Sequence, residues 1–452
     1  MSKRIVIVGG GLAGVTAAWQ LTQLGQQVAL HESSDRLGGT IETVHRNGFV
    51  IELGPDGWIT EKPWAAQLAE ELGLGHELIA SNDEGRVTYI VRDGELIAMP
   101  DGMRMMVPTN LSSLEGSSLF TADAIAAYTA EIEREHELLA AAPIADESVA
   151  GFVLRHFGHE VLHRVAAPLL SGVFGGDVFT LSVQAVMPAF VHMEREHGSL
   201  ITALRTRVRT TQRQPIFTTL RSGTQSLIDR MAAALPKGCV RLNSPVASAV
   251  ADGSGWSIEV PAKPHTGNLC DHLILATPAH VTQTLLPEVD QWLPHEASSA
   301  INVVLAFDET FDLPKGFGFL APEGESELLA CTFTDQKFCG RAPAGKRLIR
   351  AFFGGHRAES LQTMDDKTLA SLALHGLREI LGPFPVPAFS IVRRWSRSLP
   401  QYAVGHLERM AELDRWVEKQ RTLHLLGNAY RGVGLPDLIR DARALGHRLA
   451  AL

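Results

Sequence analysis

Short, wholly apolar runs alternate along this chain with longer amphipathic stretches, the pattern of buried parallel strands joined by helices. The run Arg4-Ile-Val-Ile-Val8 predicts a strand, residues 12–24 a helix that Gly25 ends, and residues 27–31 a second strand. Near the far end, Thr422-Leu-His-Leu-Leu426 predicts another apolar strand, followed by a helix over 437–452. Pro436 suits the first turn of that helix, where its missing N–H costs nothing. Mid-chain, residues 223–235 predict an amphipathic helix, with strands at 240–246, 256–260 and 272–277. The polar stretch 263–268 reads as a hairpin connection.

The junction of the first strand and first helix carries Gly9, Gly10, Gly11, Leu12, Ala13 and Gly14. In such a junction the first glycine allows a tight turn, Gly11 lets the backbone approach a pyrophosphate, and Gly14 lets the helix lie close on the strand. The helix then points its free N-terminal amides at the phosphates. Glu32 closes the second strand, where an acid accepts hydrogen bonds from ribose hydroxyls. This context predicts a dinucleotide site, and the acid disfavours a 2′-phosphate.

Two insertions separate the three pieces. Residues 101–190 predict helices at 121–139, 148–157 and 160–169, whereas residues 279–400 mix strands at 301–307, 328–333, 347–353 and 389–394 with a helix at 366–381. The expected fold class is α/β with mixed α+β parts, and a length of 452 residues suits about three domains. A Rossmann-like nucleotide domain is expected from three separated segments, 1–56, 219–278 and 401–452. A mixed-sheet substrate domain is expected at 57–100, 191–218 and 279–400, and a helical domain at 101–190.

A net charge of −9 without a basic block argues against nucleic acid as a partner. Four cysteines (Cys239, Cys270, Cys331, Cys339) show no metal-ligand spacing, so no metal is expected and a reducing compartment suits them. The apolar start reads as strand and turn rather than a signal peptide, and no apolar run reaches the ~20 residues of a membrane span. Together these favour a cytoplasmic protein.

Further motifs are Arg36-Leu-Gly38-Gly39-Thr40, Glu52-Leu-Gly54-Pro55-Asp56-Gly57, and Pro168-Leu-Leu-Ser-Gly172-Val-Phe-Gly-Gly176-Asp177. Later come Pro400-Gln-Tyr402-Ala-Val-Gly405-His406 and Gly427-Asn-Ala-Tyr-Arg-Gly432-Val-Gly-Leu-Pro436-Asp. With these in order, the chain resembles the oxygen-dependent protoporphyrinogen/coproporphyrinogen oxidase family of monoamine-oxidase-like flavoproteins, essentially end to end. The resemblance implies FAD-dependent oxidation of a porphyrinogen to a porphyrin in heme biosynthesis, with dioxygen reduced to hydrogen peroxide. It also implies a helical domain able to rest on a membrane surface. The stretch Met103-Arg-Met-Met-Val107-Pro fits either such peripheral contact or an ordinary core edge. Further expectations are a monomer or homodimer, with the next heme-pathway enzyme as a candidate partner.

By resemblance the FAD contacts are Gly9–Gly14 with Leu12 and Ala13, then Glu32, Ser33, Arg36, Gly38, Gly39 and Thr40. Gly54, Pro55, Asp56 and Gly57 join them at the ring, with Val246 at the adenine half and Trp395 by the flavin. Gly427, Asn428, Val433, Gly434 and Leu435 complete the set, and the final helix should aim its N-terminus at the pyrimidine edge. No cysteine falls in this last motif, so the flavin is expected to be non-covalent. Arg86 is the expected propionate ligand, since guanidinium binds carboxylate through two parallel bonds. No protein nucleophile or base is required, so no catalytic residue is assigned, and His197 and His406 read as structural.

Arg86 is by resemblance more typical of the protoporphyrinogen type, whereas compact length and composition point to the coproporphyrinogen type, and the choice stays open. Rival readings are an amine oxidase or carotenoid-type desaturase, and a non-catalytic protein like the Rab GDP-dissociation inhibitors.

Overall fold

The apolar strand Arg4–Val8 lies at the centre of a five-stranded, all-parallel sheet. Its order is Val240–Arg241, Gln27–His31, Arg4–Val8, His272–Leu275, Leu423–Leu425. Strands from three separated parts of the chain thus build one sheet, as a doubly wound α/β layer requires. Ile5, Ile7, Leu273, Ile274 and Leu275 are almost wholly buried, so both faces are covered. The helix Leu12–Gln23 packs along the last helix, Leu435–Ala450.

The computed structural model describes residues 3–208, 215–253, 255–261 and 268–451. Contacts divide the chain into one unit of Met1–Ser81, Pro215–Glu296 and Leu407–Leu452, and a second of Asn82–Gln214 and Ala297–His406. The stretch 57–81 falls in the first unit because Phe217–Leu220 pairs with both Trp58–Ile59 and Leu78–Ala80. The helices expected at 101–190 share the second unit with the large sheet.

The second unit carries a seven-stranded mixed sheet. Its order is Phe389–Pro400, Ala297–Phe307, Arg347–Gly354, Ala330–Phe333, Gly318–Leu320, Thr88–Arg92, Glu95–Ala98. Only the pair of Gly318–Leu320 with Thr88–Arg92 is parallel. One face places Ile301, Val303, Leu305, Ile349 and Phe353 in an apolar core with Leu369, Ala373 and Leu377 of the helix Asp366–Leu381. A separate helical core gathers Tyr128, Phe152, Phe157, Leu170 and Phe190.

Several local expectations change. The strand expected over 240–246 is only Val240–Arg241, since Asn243 takes a left-handed φ of 48° and Pro245 follows. The helix expected over 121–139 divides at Arg134 into Ala122–Glu133 and Glu135–Ala141. Near 160–169, a wide π-type turn, Leu162–Ala166, leads into Ala167–Phe174. The strand at 389–394 runs on to Pro400, and the last helix starts at Leu435. The hairpin loop expected at 263–268 lies, up to residue 267, outside the described residues, as does Leu452. Among the described residues no helix is long and apolar enough to cross a membrane.

Candidate functional site

The site grows from the carboxyl ends of the parallel strands. Gly9 has φ +106°, and its N–H donates to His31 O at 2.8 Å. A Cβ there would stand 2.4 Å from Ala276 O, so the turn accepts only glycine. A Cβ on Gly14 would stand 1.9 Å from Gly9 O, which fixes the close approach of helix and turn. Gly11 is the opposite case, because a Cβ there meets nothing within 4 Å. It caps Leu12–Gln23 without a side-chain hydrogen bond, and that helix has no acid in its first turn. An uncapped helix N-terminus facing open space is the cradle that a pyrophosphate fills.

Glu32 follows the neighbouring strand and is half-buried. Its carboxylate accepts from Gly10 N at 2.6 Å, Ser34 N at 2.8 Å and Ser33 Oγ at 3.2 Å. The acid expected at the ribose therefore also braces the glycine turn. If the acid holds the ribose of an FAD, as the resemblance implies, removing it is expected to weaken FAD retention, each charge-assisted bond being worth about 1.5–3 kcal/mol. Titrating apo Glu32→Ala protein with FAD checks this, and wild-type affinity would count against the assignment. The adjoining chain runs beside Glu32 through Ser244 N to Glu32 O (2.8 Å) and leads to half-buried Val246.

Arg36 turns out to be a loop brace. Its guanidinium donates to the carbonyls of Gly39 (2.7 Å), Leu37 (2.8 Å) and Ile41 (3.0 Å) and lies 3.3 Å from Glu42 Oε2. The braced loop presses Gly38 and Gly39 onto the turn, with Gly38 N donating to Gly10 O at 2.8 Å. Thr40 O would lie 1.8 Å from a Cβ on Gly54, which links this loop to Gly54, Pro55, Asp56 and Gly57.

Sequence reasoning missed the residues that anchor these loops. Glu52 is fully buried and accepts from Thr43 Oγ1 (2.7 Å), Thr224 N (2.8 Å) and Thr224 Oγ1 (3.0 Å). In the sequence it ends the apolar run Phe49-Val-Ile and opens the Glu52 to Gly57 motif, where only the later residues were given a role. At the C-terminal motif, Gly427 follows the last strand, and Leu426 N donates to Leu275 O at 2.9 Å. Asn428 and Val433 lie half-buried beyond it, and Gly434 caps the last helix without a side-chain bond. Asp437 in that first turn is 4% exposed and pairs with Lys62 Nζ at 2.6 Å and Arg440 at 3.3 Å. These cations offset the carboxylate, so the positive end of the helix is not cancelled.

Arg86 and Trp395 belong to the second unit. Arg86 is exposed, and among the described residues its guanidinium has no hydrogen-bond or ion-pair partner. Trp395 is half-buried, with the Arg393 guanidinium 4.7 Å above its ring. His406 is buried and stacked on Tyr402 (4.0 Å, 11°), and His197 lies 4.0 Å from Glu196. Among the described residues no cluster could hold a metal ion. All four cysteines are free, and burial pushes the Cys331 thiol well up.

The flavin-containing amine oxidoreductase family model matches residues 12–448. The chain is 31% identical over 462 residues to the coproporphyrinogen III oxidase of Bacillus subtilis (strain 168), covering 98% of this chain and 97% of that one. It is also 31% identical to the coproporphyrinogen III oxidase of Propionibacterium freudenreichii subsp. freudenreichii, over 97% of this chain and 89% of that one. A crystal structure from Exiguobacterium sp. 255-15, provisionally named a protoporphyrinogen oxidase, superimposes with a TM-score of 0.87 at 30% identity. That match covers 100% of this chain and 99% of the other.

Proposed function

The chain belongs to the porphyrinogen oxidase branch of the flavin-containing amine oxidoreductases, and from that premise we propose that it oxidises coproporphyrinogen III to coproporphyrin III with non-covalent FAD and dioxygen. The observation that carries the reading is the uncapped glycine turn at the ends of the parallel strands, with open space at Gly11. The full-length likeness to two coproporphyrinogen III oxidases supports the tetracarboxylate substrate over protoporphyrinogen IX. Four free cysteines suit a reducing cytoplasm.

The backbone of Gly10 to Gly14 and the helix behind it would hold the pyrophosphate, Glu32 the ribose, and the chain at Val246 the adenine half. Gly54 to Gly57 and Gly427 to Leu435 would line the ring, with Lys62 keeping Asp437 neutralised in the helix's first turn. When bound, FAD supplies the redox chemistry, taking electron pairs from the macrocycle and passing them to dioxygen. The protein's task is orientation and exclusion of water, which needs no protein nucleophile.

Parallel kinetics on both porphyrinogens, followed by porphyrin fluorescence, test the proposal. The expected result is a higher kcat/KM for coproporphyrinogen III, about three hydrogen peroxide per porphyrin, and no dependence on nicotinamides. Oxidation of amines without oxidation of either porphyrinogen would overturn it.

Arg86→Ala is expected to raise KM with a smaller loss in kcat, because a propionate contact serves binding. Arg86 is exposed, so such a pair contributes up to about 1 kcal/mol and kcat/KM falls by up to about fivefold. Flavin content and melting temperature stay near wild type. Unchanged kinetics would show that Arg86 does not bind the propionate.

A further inference from the structure

Resting on the porphyrinogen reading above, we propose that the ion pair Lys62–Asp437 sets the reduction potential of the flavin, by fixing the charge carried beside the ring. The pair ties together the two segments that would line the ring, all within the first unit. Lys62 follows Gly57 by way of the short strand Trp58–Ile59, and Asp437 stands in the first turn of Leu435–Ala450. Nζ and Oδ2 are 2.6 Å apart, with the Asp437 side chain 6% exposed and that of Lys62 43%. The aspartate is folded under the glycine loop. A Cβ on Gly432 would stand 2.9 Å from Asp437 Cβ, and one on Gly434 3.0 Å from its Oδ2.

That loop adjoins the glycine turn of the pyrophosphate. A Cβ on Gly9 would stand 2.4 Å from Ala276 O, and one on Gly427 3.6 Å from Thr277 O, so both turns meet the chain leaving the strand His272–Leu275. The helices that follow the two turns pack along each other. On that reading one extended cofactor meets both turns, phosphates at the first and ring at the second. Reduction places negative charge on the ring, and charge near it is a means by which a protein tunes a flavin. An uncompensated carboxylate there would cancel the positive helix end and resist reduction. At the surface water would screen such an acid, but Asp437 is buried. Lys62 supplies the opposing charge. Arg440 is the more distant cation at 3.3 Å, and it is shared with Asp441 at 2.8 Å and the Trp64 ring at 4.9 Å.

The test measures the midpoint potential of FAD-loaded protein, without oxygen, against a reference dye. Lys62→Met should favour the oxidised flavin about tenfold, a fall of ~30 mV for a two-electron couple. Asp437→Asn should move the potential by a like amount the opposite way, and the double variant should return close to wild type. Lys62→Arg keeps the cation and should hold the equilibrium within about twofold of wild type. A brace that only supports the fold gives no shifts of opposite sign, since losing either partner breaks the same contact. A potential unchanged or raised in Lys62→Met would overturn the inference while leaving the porphyrinogen reading intact. Lys62 is part-exposed, so this variant decides the matter even where Asp437→Asn does not fold. Wild type that takes up no FAD would overturn that reading, and the inference with it.

Discussion

Purified Gly11→Val protein is expected to be folded and colourless. The backbone at Gly11 has φ −70° and ψ 179°, a conformation open to any residue, and its Cβ would meet nothing within 4 Å. The protein alone therefore gives no reason for glycine there, whereas the proposed pyrophosphate would. A valine would fill the approach and hold the phosphates off the helix amides. Each such charge-assisted bond contributes about 1.5–3 kcal/mol. Losing two of them weakens FAD binding by ~100-fold or more.

Gly14→Ala serves as the contrast. Its new Cβ would overlap Gly9 O at 1.9 Å, so the first helix must move off the strand, and fold and flavin are lost together. The ratio of flavin to protein absorbance and the melting temperature of the two variants separate these outcomes. A Gly11→Val protein that keeps its yellow colour would show that the open space is not where the cofactor's phosphates lie.

The same contrast shows what was legible beforehand. The turn at Gly9 to Gly14 and the acid at Glu32 could be read because strand, glycines, helix and acid adjoin in sequence and each has a local physical task. The parallel sheet could be read in outline because its strands are short apolar runs. Their order could not, since the placing of Leu423–Leu425 beside His272–Leu275 depends on partners far apart in the chain. Arg36 was expected at the pyrophosphate by resemblance, and its bracing of its own loop only shows once Gly39, Leu37 and Ile41 turn their carbonyls inward. Glu52 and Lys62 escaped notice because their partners, Thr224 and Asp437, lie far along the chain. Asn243 ended a strand that composition favoured, by taking a left-handed conformation that no pattern announces.

Distance in sequence also hid the most highly charged part of the helical core, where the second large effect is expected. His156 is buried with both ring nitrogens on carboxylates, Nδ1 at 3.1 Å from Glu131 and Nε2 at 3.2 Å from Glu194. Carboxylates only accept, so both nitrogens must donate and the ring is an imidazolium. Glu131 also accepts from Ser199 Oγ (2.7 Å) and Leu200 N (2.6 Å), while Arg155 joins Glu194 to Glu147. The cluster ties Ala122–Glu133, Val149–Val161, Pro188–His197 and Leu200–Val208 together. His156→Leu leaves buried carboxylates short of a cation and is expected to destabilise this unit by about 3–5 kcal/mol.

The pH dependence supplies a sharper readout than the loss itself. Burial alone would lower the His156 pKa, but its bonds to Glu131 and Glu194 outweigh that and hold it above the ordinary value of 6.5. A raised folded pKa gives stability that is complete below the unfolded value and fades as pH rises through the folded one. His424 has the opposite sign, since burial, with His272 and Arg448 adding to it, pushes it down to about 3. Its neutral ring, 3.1 Å from His272, contributes stability that is full above pH 6.5 and is lost as pH falls toward about 3. The two clusters lie in different units, so acid weakens the parallel-sheet unit while alkali weakens the helical one. Melts of wild type and His156→Leu from acid to about pH 9 should show the alkaline decline flattened in the variant and the acid decline kept. An alkaline slope unchanged by the substitution would mean that His156 is not an imidazolium in the folded protein.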